Sequence, residues 1–195
     1  KNNSSVTFTN TSVWRAGKTY DANVTAINFD LFEKSRTYNV FGDFNISQKY
    51  SPLNSFGIKS SFGFEKASGL LKYGINASVA DNKFDSNDLG FLSRNNFQRY
   101  NLFVKYNTVK PFWRIYNSWH ELYLNYDKLF TPNVYTNAST GFNIGATLKN
   151  FTAVGLEAGY RFKNNDYFES RIDGKYFTLP EAYTLGGWIS SNYAK

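Results

Sequence analysis

The sequence predicts an all-β protein, an antiparallel up-and-down transmembrane β-barrel with about ten strands in this chain, or part of a larger barrel. Three observations carry that expectation. Long segments alternate apolar and polar residues. The connections between them alternate in kind. Aromatic side chains gather towards the segment ends.

The alternation is plainest in residues 55–66, "SFGIKSSFGFEK". Phe56, Ile58, Ser60, Phe62 and Phe64 fall on one side of an extended chain, and Gly57, Lys59, Ser61, Gly63 and Glu65 on the other. A soluble sandwich turns the first set to a dry core. A membrane barrel turns it to lipid and leaves the second set in the lumen. Taken in chain order, the pattern is less clean near 4–16 and 22–33. In 38–47, Tyr38, Val40, Phe44 and Ile46 oppose Asn39, Asp43, Asn45 and Ser47. In 71–80, Leu71, Tyr73, Ile75, Ala77 and Val79 oppose Lys72, Gly74, Asn76 and Ser78. In 100–107, Tyr100, Leu102, Val104 and Tyr106 oppose Asn101, Lys105 and Asn107, with Phe103 an exception. Residues 134–149 and 152–163 repeat the scheme, the latter setting Val154, Leu156, Ala158 and Tyr160 against Gly155, Glu157, Gly159 and Arg161. These runs are roughly 10–15 residues long, where globular strands average about 5–6. Crossing hydrocarbon takes about 9–11. No stretch carries a sustained helical stripe with a cap.

The links near 33–36, 66–70 and 149–151 are tight, and that near 109–117 is somewhat longer. The other parity class includes short links near 50–54 and 129–133 and two long ones, 81–98 and 163–182. Barrels with short inner turns and longer outer loops make this pattern, which assigns 81–98 and 163–182 to the outer face. Tyr38, Tyr50, Phe64, Tyr100, Trp119, Tyr126, Phe130, Tyr135, Phe151 and Phe162 flank strand ends, where amphipathic rings suit a membrane–water interface. Strand glycines fall on the polar side, where they let a sheet coil and make room for a large neighbour.

Composition narrows the classes. Aromatic residues make up 19 % of the 195-residue chain, while Cys and Met are absent. Asparagine is abundant, at about two dozen against ordinary usage. Mean hydropathy is −0.48, and no apolar run approaches the ~20 residues of a helical span. Without cysteine there are no disulfide staples, in keeping with a bacterial envelope protein or a cytosolic one. "KNNSSVTFTN" has no apolar signal-peptide core. The expectation is a single β-barrel domain over 1–195, incomplete at both ends.

Catalytic signals are weak. His120 is the one histidine, and Leu124 stands where H-E-x-x-H needs its second. No G-x-S-x-G elbow is present, and one His without Cys argues against structural zinc. Asp81, Asp85, Asn87 and Asp88 offer oxygen ligands but break the EF-hand pattern at Leu89 and Asn96. Turn chemistry accounts for them better. "NNDYFESR" sets Asp166, Tyr167, Phe168 and Glu169 together, a mixture that suits a glycan as well as loop packing. Candidate ligand-binding residues are therefore Asp85, Asn87, Asp88, Asp166, Tyr167, Phe168 and Glu169, on external loops. The net charge of +7 is dispersed over turns (Lys34, Arg36, Lys66) and the polar strand side (Lys59, Lys72, Lys105, Arg161). A nucleic-acid surface would cluster it, so no nucleic-acid partner is expected. A lumen balanced by Asp43, Glu65, Glu121 and Glu157 is.

Three strings, "NDLGFLSRNN", "YDKLFTPNVY" and "GKYFTLPEAYTLGGWISSNYAK", resemble the C-terminal barrel-type region of bacterial envelope proteins that carry an N-terminal carbohydrate-binding-family-9-like module. The resemblance covers roughly 81–195, and more loosely the preceding strands. It implies an outer-membrane location and a sugar-binding companion domain, and it transfers no catalytic residue. Barrels of this kind usually end on an aromatic residue; "SNYAK" departs from that, hence the larger-barrel alternative. The functional expectation is an outer-membrane scaffold or channel, not an enzyme and without cofactor, serving carbohydrate binding or uptake at the cell surface. Its partners are membrane lipid, surface polysaccharide or other outer-membrane proteins. The alternatives are a soluble all-β glycan-binding module and a barrel-borne hydrolase.

Overall fold

A computed structural model describes residues 4–50 and 54–191. Every regular element among them is a strand: β1 (Ser5–Val13), β2 (Asp21–Phe32), β3 (Tyr38–Tyr50), β4 (Ser55–Lys66), β5 (Leu71–Ala80), β6 (Phe97–Thr108), β7 (Ile115–Lys128), β8 (Tyr135–Leu148), β9 (Ala153–Arg161), β10 (Asn164–Asp166), β11 (Phe177–Leu179) and β12 (Ala182–Ser190). Most of the link expected near 50–54, with the outermost residues of "KNNSSVTFTN" and "SNYAK", lies outside the described residues.

Ten strands make one sheet in the order β1-β2-β3-β4-β5-β6-β7-β8-β9-β12, each following its neighbour in the chain except where the short β10–β11 hairpin intervenes. β1 and β12 end this order, and no pairing between them occurs among the described residues. The sheet is thus antiparallel and up-and-down as expected, but open where a barrel is closed, so each end strand keeps a row of main-chain groups without a ladder partner. The described chain divides into two compact units: Lys1–Phe64 with Asn76–Tyr100 and Asp127–Tyr135, and Glu65–Ile75 with Asn101–Tyr126 and Thr136–Lys195.

The tight turns form where local chemistry permits a reversal. Glu33 accepts bonds from the Ser35 and Thr37 amides at 2.8 and 2.7 Å, which holds Arg36 at φ 55°. The "KNF" turn closes through Phe151 N–H donating to Leu148 O at 2.9 Å, with Asn150 Oδ1 accepting from Thr152 N–H. Gly69 takes φ 90° before β5, a conformation that costs glycine nothing.

Register fixes the two faces. In the first unit Ala22 pairs with Lys49, Val24 with Ser47 and Asn28 with Asp43, all on the polar face. In the second, Asn143 pairs with Glu157 and Gly141 with Gly159, again polar, while Ile144 pairs with Leu156 on the apolar face. The apolar face is the exposed one. Phe56, Phe62, Val104, Phe142 and Leu156 keep 50, 52, 45, 38 and 47 % of their surface open. They meet no shared dry interior. On the polar face Asn39 and Ser47 are buried, together with strand glycines such as Gly57, Gly63, Gly141 and Gly145, while Ser118 is buried near the start of β7 in the parity of the apolar face. Buried apolar residues among those described amount to Ala22, Ala80, Phe84, Phe97 and Leu129. That is the reverse of the ordinary soluble arrangement, in which large apolar side chains go in and polar ones stay out.

Two expectations change. Trp119 is not an end-of-strand aromatic: it sits within β7 on the polar face, in the parity of Glu121 and Asn125, and stacks on Trp188 with ring centroids 6.0 Å apart. The 163–182 link is not plain loop; β10 and β11 pair within it, Asn164 opposite Leu179.

Candidate functional site

The polar face is where chemistry can happen, and glycines shape it. A Cβ at Gly145 would come within 1.9 Å of the Trp119 ring, and one at Gly155 within 2.3 Å of Trp188 Nε1. A Cβ at Gly63 would meet Phe41 at 2.3 Å. Each glycine leaves the berth that a large neighbouring ring occupies, as the sequence suggested.

In the first unit the 81–96 link lies on this face. A Cβ at Gly57 would stand 2.2 Å from Phe84 N, so the link's backbone rests on β4. Asp81 caps its own turn, accepting from the Lys83 and Phe84 amides, and its other oxygen accepts from Ile58 N–H at 2.9 Å. The Asp85 amide donates to Ser47 Oγ at 2.9 Å. Asn95 donates to Phe84 O at 2.9 Å. Asn96 ties the link to the 129–134 connection, donating to Thr131 O and accepting from Thr131 N–H at 2.9 and 2.8 Å.

Two ion pairs latch it. Lys49 Nζ is 2.6 Å from Asp85 Oδ2, and Arg15 Nη2 is 2.6 Å from Asp88 Oδ1. Tyr20 sits between them, its hydroxyl donating to Asp88 at 3.2 Å and its ring carrying both cations at 4.9 and 4.8 Å. The hydrogen bond from Lys49, then the Asn87 amide, holds the Asp85 carboxyl below its ordinary value. Of the residues singled out in the sequence, Asp85, Asn87 and Asp88 thus come together. Asp85 and Asp88 face cations, and Asn87 bonds Asp85 and the Leu92 amide.

The second group of candidate residues has local roles. Asp166 accepts from the Phe168 and Glu169 amides at 2.8 and 3.1 Å, a turn made by its own side chain. Tyr167 packs on Tyr176, centroids 4.7 Å apart. The Phe168 carbonyl accepts from the Arg171 amide, and Glu169 is exposed. Among the described residues no group of His, Cys, Asp and Glu could hold a metal ion. His120 lies on the apolar face, in the parity of Leu122 and Leu124, where it contacts Ser118 Oγ at 3.2 Å and Tyr106.

In the second unit the polar face carries a ladder that sequence reasoning did not assemble. Asn101 donates to Asn125, and Asn125 to Ser139, at 2.8 and 3.2 Å. Lys105 pairs with Glu121 at 3.0 Å. Beyond Ser139 the ladder opens on a cavity that includes Tyr123, Glu157 and Arg161. Period-two parity signalled each of these side chains; the cross-strand register that joins them did not show.

A family model described as Domain of unknown function (DUF5916) matches residues 1–195. No curated protein matches the chain. No solved structure matches it.

Proposed function

We propose that this chain, which belongs to the DUF5916 family, is an integral outer-membrane β-barrel that serves as a membrane scaffold or channel. One observation supports this above the rest: strands β3 to β8, of ten to fourteen residues, expose large apolar side chains and bury or half-bury their Asn, Gln, Ser, Thr and Gly residues. Water penalises that arrangement, whereas hydrocarbon outside and polar side chains inside reward it. In lipid the open rows of β1 and β12 require strand partners, from each other or from further strands, because unpaired main-chain groups are costly there.

The 81–96 link gives the lumen its character. Latched on the polar face by Lys49 and Arg15, it narrows the space inside the strands of the first unit and lines it with paired charges. A barrel of this kind passes small polar solutes or is held shut by that link. Asp30 Oδ1 and Asn39 Oδ1, buried on the same face with no protein partner, are suited to lumen water.

The test is the behaviour of the full chain on gels and in detergent. The proposal expects heat-modifiable migration and a requirement for detergent or lipid to stay folded. A chain that is folded and monodisperse in plain buffer would return it to the soluble glycan-binding reading. Single-channel recording then separates a conducting pore from a closed scaffold.

A further inference from the structure

We infer that the turn end of the second unit is a headgroup-binding rim: Lys110, Arg114 and Lys149 hold the anionic phosphates of a lipid surface, and Trp113, Tyr116 and Phe151 seat the rim at the hydrocarbon edge. The inference rests on the membrane reading above and adds the kind of lipid that this end of the strands meets.

Backbone conformation gives the first sign. Trp113 and Arg114 are the central pair of a turn that Phe112 and Ile115 close from both sides, at 3.0 and 2.8 Å. Trp113 has φ 43°, at a place where such a turn ordinarily takes glycine. In the three-residue link 149–151, Phe151 has φ 63° where glycine is again usual. Left-handed backbone is costly for a bulky side chain. Burial does not offset that cost: Trp113 and Phe151 are 76 and 62 % exposed. Two turns of one rim thus hold aromatic rings outward against a backbone preference.

Charge gives the second sign. Cations that are scattered along the sequence are gathered by the fold. Lys149 N–H donates to Arg114 O at 2.9 Å, and Asn107 N–H to Leu70 O at 2.8 Å. The 149–151 link therefore lies beside 109–114, and the 66–70 link beside the end of β6. These three links carry Lys66, Lys110, Arg114 and Lys149 and no acidic residue. Lys110, Arg114 and Lys149 are exposed and form no ion pair among the described residues. The 163–182 link, at the other end of β9, mixes its cations with Asp166, Glu169, Asp173 and Glu181. Next to the rim the sheet turns apolar. Tyr116 shares the parity of the exposed Leu122 and Leu124 on β7, and Phe151 packs on it with centroids 6.2 Å apart. The Arg114 guanidinium lies over the Trp113 ring at 5.6 Å. A ring at the hydrocarbon edge with a cation just beyond it matches a phospholipid in both chain and headgroup. A single-stranded nucleic acid calls for rings set among cations along a polar groove, not rings continuous with a face of exposed leucines.

The probe is phosphatidylglycerol brominated high in its acyl chains, in vesicles of equal parts phosphatidylglycerol and phosphatidylcholine that hold the full chain. The comparison carries the bromine on phosphatidylcholine. The Trp113 signal is the emission lost in Trp113→Phe. The expected result is quenching of that signal by both lipids, with phosphatidylglycerol favoured at least about fivefold, the gain from one cation near an anionic surface. Lys110→Gln, Arg114→Gln and Lys149→Gln together bring the two lipids level without removing the quenching. Trp113→Gly relieves the turn and leaves the urea midpoint at or above that of the wild-type chain, where loss of a tryptophan that only packs would lower it. Equal quenching by the two lipids in the wild-type chain would overturn the inference and leave the barrel standing. No quenching by either lipid would overturn both. Loss of the preference to inorganic phosphate at matched ionic strength would assign the rim to a free anion, and loss to an oligothymidylate would assign it to nucleic acid; either result overturns the inference.

Discussion

The Trp119 indole fills the place where a side chain at Gly145 would stand: a Cβ there would lie 1.9 Å from Trp119 Cζ2. The indole is rigid and already stacked on Trp188, so it has no easy retreat. Gly145→Ala is expected to cost about 1–3 kcal/mol, the range for overpacked sites. Gly159→Ala, whose Cβ would meet its nearest atom at an ordinary contact distance of 3.7 Å, is expected to be close to neutral. Urea midpoints of the two variants check the contrast.

The face assignment makes a sharper forecast. Phe62 and Ile144 are about half open to the surroundings. In water an arginine at either site would cost little. At the middle of a bilayer it costs about 2–4 kcal/mol. Phe62→Arg and Ile144→Arg are therefore expected to destabilise the lipid-folded chain by that amount, and Ser61→Arg or Asn143→Arg far less. Equal penalties on both faces, measured by denaturant titration in vesicles, would contradict the assignment.

The latch of the 81–96 link should respond to acid. Asp85 has its carboxyl held low by Lys49, so folding favours the ionised form. Its contribution is complete above the ordinary value of 3.8 and is lost as pH falls through the lower folded value. Between pH 6 and pH 3 the thermal midpoint of the wild-type chain should therefore drop further than that of Lys49→Met. The pair is part-exposed, so at neutral pH its removal changes stability by about 1 kcal/mol or less. Hydrogen exchange gives an independent reading: Ser47→Ala removes the acceptor of the Asp85 amide and should speed its exchange.

Glu33 offers a local check on the β2–β3 turn. Its carboxyl is pulled to about 2, first by the Ser35 hydroxyl and then by the Ser35 and Thr37 amides. Ser35→Ala should move it back towards the ordinary 4.5. An NMR titration of Glu33 that finds the ordinary value in the wild-type chain would mean the turn is built differently.

Much of the sheet was legible because it obeys a short-range rule. The expected bounds of 55–66 and 71–80 coincide with β4 and β5, since alternation over ten or more positions leaves little freedom. β10 and β11 escaped notice: three residues apiece hold no measurable period. Trp119 was placed by its type, as an aromatic near an end, although its parity with Glu121 and Asn125 pointed to the polar face. The latch was out of reach. Arg15 and Asp88 are far apart in sequence, and nothing local announces their meeting. The cavity was half legible: Glu157, Gly159 and Arg161 shared a visible face, but the hollow depends on Gly159 standing opposite Gly141, which is a matter of register.

The most direct test of lipid outside and polar groups inside uses the absence of cysteine. Single cysteines at Phe62, Val104 and Ile144, and at Ser61, Lys105 and Asn143, can each carry a nitroxide in the chain folded into vesicles. The account predicts that labels at the first three collide with dissolved oxygen and are shielded from a water-soluble nickel chelate, and that the other three show the opposite preference. Nickel reaching the labels at Phe62, Val104 and Ile144 as readily as the rest would contradict it.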